Sequence, residues 1–139
     1  MIQKHLLNSV LAVVLFFFLA SCEELFDTSD TKPDGSAPAV RLEAPQNNSV
    51  FSLGNNVPIK SVISDKDRIK EMEVQVVLLA DGSANQTVWG YKKNPTTNPV
   101  IVDTTINTAV LTPGNYLLRM NLVDNRTNSK VKEVFFSVK

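Results

Sequence analysis

Residues 71–79 read EMEVQVVLL and carry the clearest periodicity of the chain. One face of this stretch is apolar and consists of Met72, Val74, Val76 and Leu78. The opposite face begins with two glutamates and a glutamine. Apolar residues at every second position are typical of a strand with one buried face. Asp81 and Gly82 follow, and this pair is favoured in hairpin turns, so the stretch predicts a half-buried strand that ends in a turn.

The same period of two extends on both sides. Further alternating rows lie at residues 40–44, 57–63, 86–92, 100–110, 116–122 and 134–138. The row at 100–110 is long enough for two strands broken near Asp103. Turn residues separate the rows about every ten residues, and no segment of ten or more shows a helical stripe. About seven strands in about 100 residues predict an all-β fold, a single antiparallel immunoglobulin-like sandwich over residues 39–139.

Residues 111–116, LTPGNY, precede the row at 116–122. This segment resembles the turn before the sixth strand of fibronectin type III and related domains. The resemblance implies a tyrosine corner, in which the hydroxyl of Tyr116 bonds back to the nearby backbone. Ala44 and Pro45, the Asn-rich turn after them and Gly54 also resemble small immunoglobulin-like domains of Bacteroidota lipoproteins, many of unknown function.

The N-terminus contains an apolar run of eleven residues, VLAVVLFFFLA at 10–20, after Lys4 and His5. A membrane-spanning helix needs about 20 apolar residues, so the run indicates a secretory leader rather than a transmembrane helix. A buried core helix is the alternative. The run ends in Leu19-Ala20-Ser21-Cys22, which resembles the lipobox of bacterial lipoproteins. That resemblance implies a signal peptide at 1–21, lipidation of Cys22 and attachment to a membrane through the N-terminal lipid.

Residues 22–38 are acidic and turn-rich, which predicts a flexible tether. Glu23 and Glu24, directly after Cys22, resemble the surface-export signal of Bacteroidota-type lipoproteins. The resemblance implies a lipid-anchored protein on the outer membrane that faces the cell surface. The alternative is a solvated linker that carries no signal, with the domain on the periplasmic face.

Composition excludes several functions. The 14 basic and 14 acidic residues balance, so no excess of positive charge exists for nucleic-acid binding. The single histidine is His5 and the single cysteine is Cys22. Residues 23–139 therefore contain neither an imidazole base nor a cysteine thiolate that could bind a metal ion. No glycine-rich phosphate loop is present. We therefore predict no enzyme and no organic cofactor.

Polar residues follow two of the predicted strands and would meet at one pole of the sandwich. Asp65 and Asp67 follow the second strand, and Asp124 and Asn125 follow the sixth. Their oxygens are ligands that Ca²⁺ prefers, which predicts a calcium site. Because basic residues are interleaved and Asp and Asn are ordinary turn formers, turn formation is the alternative.

Alternation places Thr87, Trp89 and Tyr91 on one strand face. Exposed, they would form a flat aromatic strip that could stack on sugar rings or anchor a protein. The alternative is that Trp89 packs in the core.

The triplet Asp103-Thr104-Thr105 resembles the O-glycosylation signal of exported Bacteroidota proteins, which implies a glycan on Thr104. The alternative is an ordinary strand-edge sequence.

These features predict a non-catalytic binding or structural module with an unidentified protein or glycan partner. The alternative is a glycan-binding accessory lipoprotein of a polysaccharide-uptake system.

Overall fold

Two β-sheets pack face to face in the computed structural model, which describes residues 32–80 and 85–139. The described residues form eight strands: β1 Ala39–Ala44, β2 Ser49–Phe51, β3 Asn56–Ser64, β4 Ile69–Leu79, β5 Gln86–Lys93, β6 Val100–Asn107, β7 Gly114–Asp124 and β8 Ser129–Val138. A short 3-10 helix, Thr108–Val110, joins β6 to β7. The part of the chain so described contains no helix long and apolar enough to cross a membrane.

The strands divide into a small sheet of order β1-β3-β6 and a large sheet of order β2-β8-β7-β4-β5. All neighbours are antiparallel except β2, which runs parallel to β8 through Ser49–Phe51. This arrangement is an immunoglobulin-like sandwich and confirms the predicted fold class.

The core forms between the sheets because each strand has one apolar face. The predicted row on β4 points inward, with Met72, Val74 and Val76 at 1% exposure or less. It meets Val57, Ile59 and Ile63 of β3, and the β7 row completes the layer. Burying such side chains contributes about 1.5–3 kcal/mol each, so this core is a major source of the stability of the sandwich.

The structure differs from the sequence prediction in the element bounds. β2 was not predicted, because three residues after a turn are too few to show a period. β6 is one strand that pairs with β3 without interruption past Asp103, and residues 108–110 are 3-10 helix rather than strand. β8 begins at Ser129, before the apolar row at 134–138, because its first half is an exposed strand.

The sandwich has two ends with different loops. The β3–β4 turn (residues 65–68) and the β7–β8 turn (residues 125–128) lie together, and the backbone N–H of Asn125 donates to the carbonyl of Arg68 at 3.2 Å. We call this end the clasp pole. The far pole holds the β2–β3 turn and the 3-10 helix, where the Thr108 hydroxyl donates to the carbonyl of Asn55 at 2.7 Å.

Candidate functional site

Three carboxylates converge at the clasp pole. Asp34, Asp67 and Asp124 each place one oxygen within 4.8 Å of the others. Asp67 lies in the β3–β4 turn and Asp124 ends β7, so the sandwich topology joins them as the sequence predicts. Asp34 comes from the predicted tether, and no pattern in the sequence singles it out.

Each carboxylate of this cluster already has partners. Both oxygens of buried Asp124 accept hydrogen bonds from Asn128, one from the backbone N–H and one from the side-chain amide, each at 2.8 Å. Asp67 accepts from the guanidinium of Arg126 at 3.3 Å, and Lys66 forms an ion pair with Asp34. Two cationic side chains thus pair with carboxylates of the cluster.

The predicted calcium ligands do not assemble as a set. Asp65 is 8% exposed and uses its carboxylate to cap the turn, accepting the N–H of Asp67 at 2.8 Å. Asn125 is exposed and contributes its backbone N–H to the pole. Ca²⁺ takes six to eight oxygen ligands, and Asp65, one of the predicted carboxylate donors, lies outside the cluster of three carboxylates. The arrangement fits turn formation rather than a calcium site.

Asp34 instead fastens the tether to the domain. Its carboxylate accepts from the Asn128 amide at 2.9 Å, and Asn128 in turn accepts from the N–H of Gly35 at 3.2 Å. With the Lys66 ion pair, these contacts leave the Asp34 side chain only 17% exposed. We call Asp34, Lys66 and Asn128 the clasp. The domain-proximal end of the predicted tether is therefore held on the sandwich before β1 begins.

The opposite charges of Asp34 and Lys66 stabilise each other in the clasp. The hydrogen bond from Lys66 holds the pKa of the Asp34 carboxyl well below its usual range, and the N–H of Ser36 adds to the effect. The same bond raises the pKa of Lys66. Both groups are therefore ionised at neutral pH.

The aromatic strand β5 is the edge of the large sheet. In the β4–β5 ladder, Trp89 lies opposite Val76 and Thr87 lies opposite Val77, with Val88 left unpaired in a bulge. Because Val76 and Val77 point to opposite faces, Thr87 is on the outer face while Trp89 and Tyr91 are on the inner face. The prediction that all three share one face is wrong, since a bulge changes the alternation by one residue.

Trp89 and Tyr91 are half-buried and pack against the core. Their ring centroids are 5.5 Å apart and the ring planes cross at 85°. Burial raises the pKa of the Tyr91 hydroxyl. An edge-to-face pair presents no continuous flat surface, so the strip expected from the sequence does not form.

Tyr116 is fully buried at the start of β7 and stacks on Phe136 with ring centroids 5.4 Å apart. Its hydroxyl donates a hydrogen bond to the carbonyl of Thr112. This is the backward bond that a tyrosine corner requires. Its role is to join the crossing loop to the core.

Thr104 lies in the middle of β6, opposite fully buried Ile59. It is half-buried on the same face as Val102 and Ile106, while exposed Asp103 pairs with Lys60 at 3.6 Å. This inward position favours the strand interpretation of the triplet over a glycan on Thr104.

A groove of about 400 Å³ crosses the outer face of the large sheet at the far pole. Sequence reasoning missed it, because its lining residues come from four separate strands and turns. They include Asn48, Leu79, Asn115, Phe135 and Ser137. Phe135 is 46% exposed, and an aromatic residue at an outward position of a strand is the one signal that could have found the site.

Cys22, Glu23 and Glu24 lie outside the described residues, as does the signal peptide at 1–21. Lipidation and surface export therefore stay predictions.

No family model matches the chain, and no curated protein matches it. Among solved structures, the fibronectin(III)-like modules of Clostridium thermocellum CbhA are 16% identical, with 73% of this chain and 96% of that chain covered and a TM-score of 0.47. Murine CRIg is 13% identical, with 73% and 97% covered and a TM-score of 0.47. The superoxide reductase (neelaredoxin) from Ignicoccus hospitalis is 10% identical, with 73% and 80% covered and a TM-score of 0.54. At 10% identity, this last likeness concerns the fold alone.

Proposed function

We propose that the chain is a lipid-anchored, surface-exposed lipoprotein of the outer membrane whose immunoglobulin-like domain is a non-catalytic binding or structural module. The sequence after Cys22 has neither histidine nor cysteine, which removes the common nucleophilic and zinc mechanisms. A sandwich with exposed faces suits recognition or spacing better than catalysis.

The observation that carries the proposal is the clasp. It fastens the tether at Asp34, twelve residues after Cys22, so a lipid on Cys22 would be joined to the domain by at most about 40 Å of extended chain. In this arrangement the chain that leads to Cys22 leaves the domain at the clasp pole, opposite the groove. The far pole and its groove would then be presented to partners.

The anchor is tested with Cys22→Ser in the full chain. We expect wild type to partition into the detergent phase and to be processed, whereas Cys22→Ser stays unprocessed or soluble. Identical processing and partitioning of the two proteins would contradict the lipid anchor.

Surface exposure and binding need a second experiment on intact cells. Protease added outside should remove the domain, and crosslinking followed by purification should recover a stoichiometric partner at the outer membrane. A domain that is untouched by protease belongs on the periplasmic face. Turnover of a substrate by the purified protein would contradict the non-catalytic role.

A second candidate function is a glycan-binding accessory lipoprotein of a polysaccharide-uptake system. The half-buried, edge-to-face Trp89 and Tyr91 give it less support than a flat strip would. The groove around Phe135 is the observation that favours it.

A further inference from the structure

The groove at the far pole is defined by the strand register of the large sheet. Asn115 on β7 lies between Leu79 of β4 and Ser137 of β8, so its exposed side chain forms the floor. Phe135 stands one row away on β8, opposite buried Leu117. The groove is therefore bordered by a leucine on one side and by an exposed phenylalanine ring on the other.

The β1–β2 turn holds the Phe135 side of the groove in place. The backbone N–H of Asn48 donates to the carbonyl of Phe135 at 2.7 Å, and the Asn47 side chain accepts the N–H of Phe135 at 3.0 Å. Asn48 has φ of 64°, a left-handed conformation that Asn tolerates better than most residues. This turn places Asn48 in the lining of the groove, next to Phe135.

The described lining is neutral and rich in hydrogen-bonding groups. Asn48 and Asn115 each offer an amide with two donors and an acceptor, and Ser137 offers a hydroxyl. Within the described part of the chain, these three side chains make no hydrogen bond to another protein group, so their donors and acceptors are available to a ligand. The volume falls in the roughly 300–1,000 Å³ range of small-molecule sites.

We propose that this groove binds a neutral carbohydrate unit. The C–H face of a sugar ring would pack on the negative face of the Phe135 ring, while the amides and the hydroxyl bond to sugar hydroxyls. A charged ligand would lose hydration without a cation or anion in the described lining to replace it. The inference rests on the proposed function as a binding module and names its ligand class.

An extended peptide fits the groove less well. A peptide that joins a sheet needs a free strand edge, but β2 covers the edge of β8 from Phe136 to Val138. Asn47 and Asn48 already bond the N–H and carbonyl of Phe135. Side-chain amides and a ring remain available, and these suit the many hydroxyls of a sugar.

The test uses the full chain purified in a detergent without a sugar headgroup. Maltotriose, cellotriose, laminaritriose and mannotriose serve as neutral probes, with trigalacturonate as the charged comparison, in saturation-transfer NMR and calorimetry. We expect at least one neutral trisaccharide to bind and Phe135→Ala to weaken it at least tenfold. Asn115→Ala, at an exposed position, should weaken it as well. Val131→Ala removes an apolar side chain of 55% exposure from the same strand and should change nothing.

Several results would overturn the site. The first is that no neutral probe binds. The second is that trigalacturonate binds more tightly than the neutral trisaccharides, and the third is that Phe135→Ala leaves the binding unchanged. Binding lost in Trp89→Ala but kept in Phe135→Ala would place the sugar on β5 instead. A crosslinked protein partner that contacts Phe135, without sugar binding, would make the groove a protein-docking surface. That last result removes the sugar site and leaves the binding-module proposal standing, whereas recovery of neither ligand nor partner counts against both.

Discussion

The two tyrosines of the chain occupy opposite environments. Tyr116 is fully buried, with its hydroxyl bonded to the Thr112 carbonyl. Tyr91 is half-buried at the sheet edge, against Trp89. The same side chain therefore serves as a joint between loop and core in one place and as edge packing in the other.

Tyr116→Phe is expected to destabilise the domain by about 1 kcal/mol or more, because the Thr112 carbonyl loses its buried donor. Tyr91→Phe is the matched control and should change the free energy of unfolding by less than about 0.5 kcal/mol. Urea denaturation of both variants measures the difference. Equal stability of Tyr116→Phe and wild type would show that the corner bond contributes nothing.

Asp34→Asn should release the tether from the clasp pole at neutral pH, because Lys66 loses its ion-pair partner. Faster hydrogen exchange at the N–H of Gly35, which bonds to Asn128, measures the release. Asp103→Asn, at an exposed acid that pairs with Lys60, is the control and should leave Gly35 protected. Slow exchange at Gly35 in Asp34→Asn would mean that Asn128 alone holds the segment.

The same carboxyl predicts a pH dependence. The pKa of the Asp34 carboxyl is lower in the folded state than the ordinary value of 3.8. Its contribution to the stability of the folded state is therefore fully present above pH 3.8. The contribution is lost as the pH falls from there toward the folded pKa. Thermal unfolding from about pH 7 to about pH 2 should therefore show a smaller acid destabilisation in Asp34→Asn than in wild type. Parallel curves would contradict the lowered pKa.

At the scale of single elements, the β4–β5 ladder depends on a close backbone approach. Gly90 lies opposite Gln75, and a Cβ added there would stand 2.7 Å from the carbonyl oxygen of Val74. Glycine inside a strand often marks such an approach. The edge strand can therefore carry Trp89 and Tyr91 inward only with a glycine between them.

Gly90→Ala is expected to cost about 1–3 kcal/mol, since backbone must shift to relieve the clash. Gly114→Ala is the control, because its Cβ would meet only the end of the Leu78 side chain, at 3.0 Å, which can move. Chemical denaturation compares the two, and Trp89 fluorescence reports loosening of β5. If the two alanine variants are equally stable, β5 does not need the close approach.

For the whole molecule, the paired charges at the clasp pole predict stability without metal. We expect neither added Ca²⁺ nor EDTA to shift the Tm, because Lys66 and Arg126 already pair with the carboxylates that would bind the ion. A ligand that binds the folded state raises the Tm. A calcium-dependent rise that Asp67→Asn removes would instead establish a cation site.

The fold class and most of the strands follow from patterns that are local in the sequence. A period of two is a local property, so rows such as Met72, Val74 and Val76 identify their buried face without knowledge of their partners. The corner at Tyr116 was predicted from the resemblance of residues 111–116 to a fibronectin type III turn, and its donor and acceptor lie four residues apart.

The contacts of the surface residues, by contrast, depend on how distant segments pack together. The bulge at Val88 moved Thr87 to the outer face, and a one-residue shift of this kind reverses every side chain beyond it. The clasp joins residues 34 and 128, and the groove joins residues 48, 79, 115, 135 and 137. Such sites arise from strand register and loop packing between distant segments, and no short sequence pattern encodes those contacts.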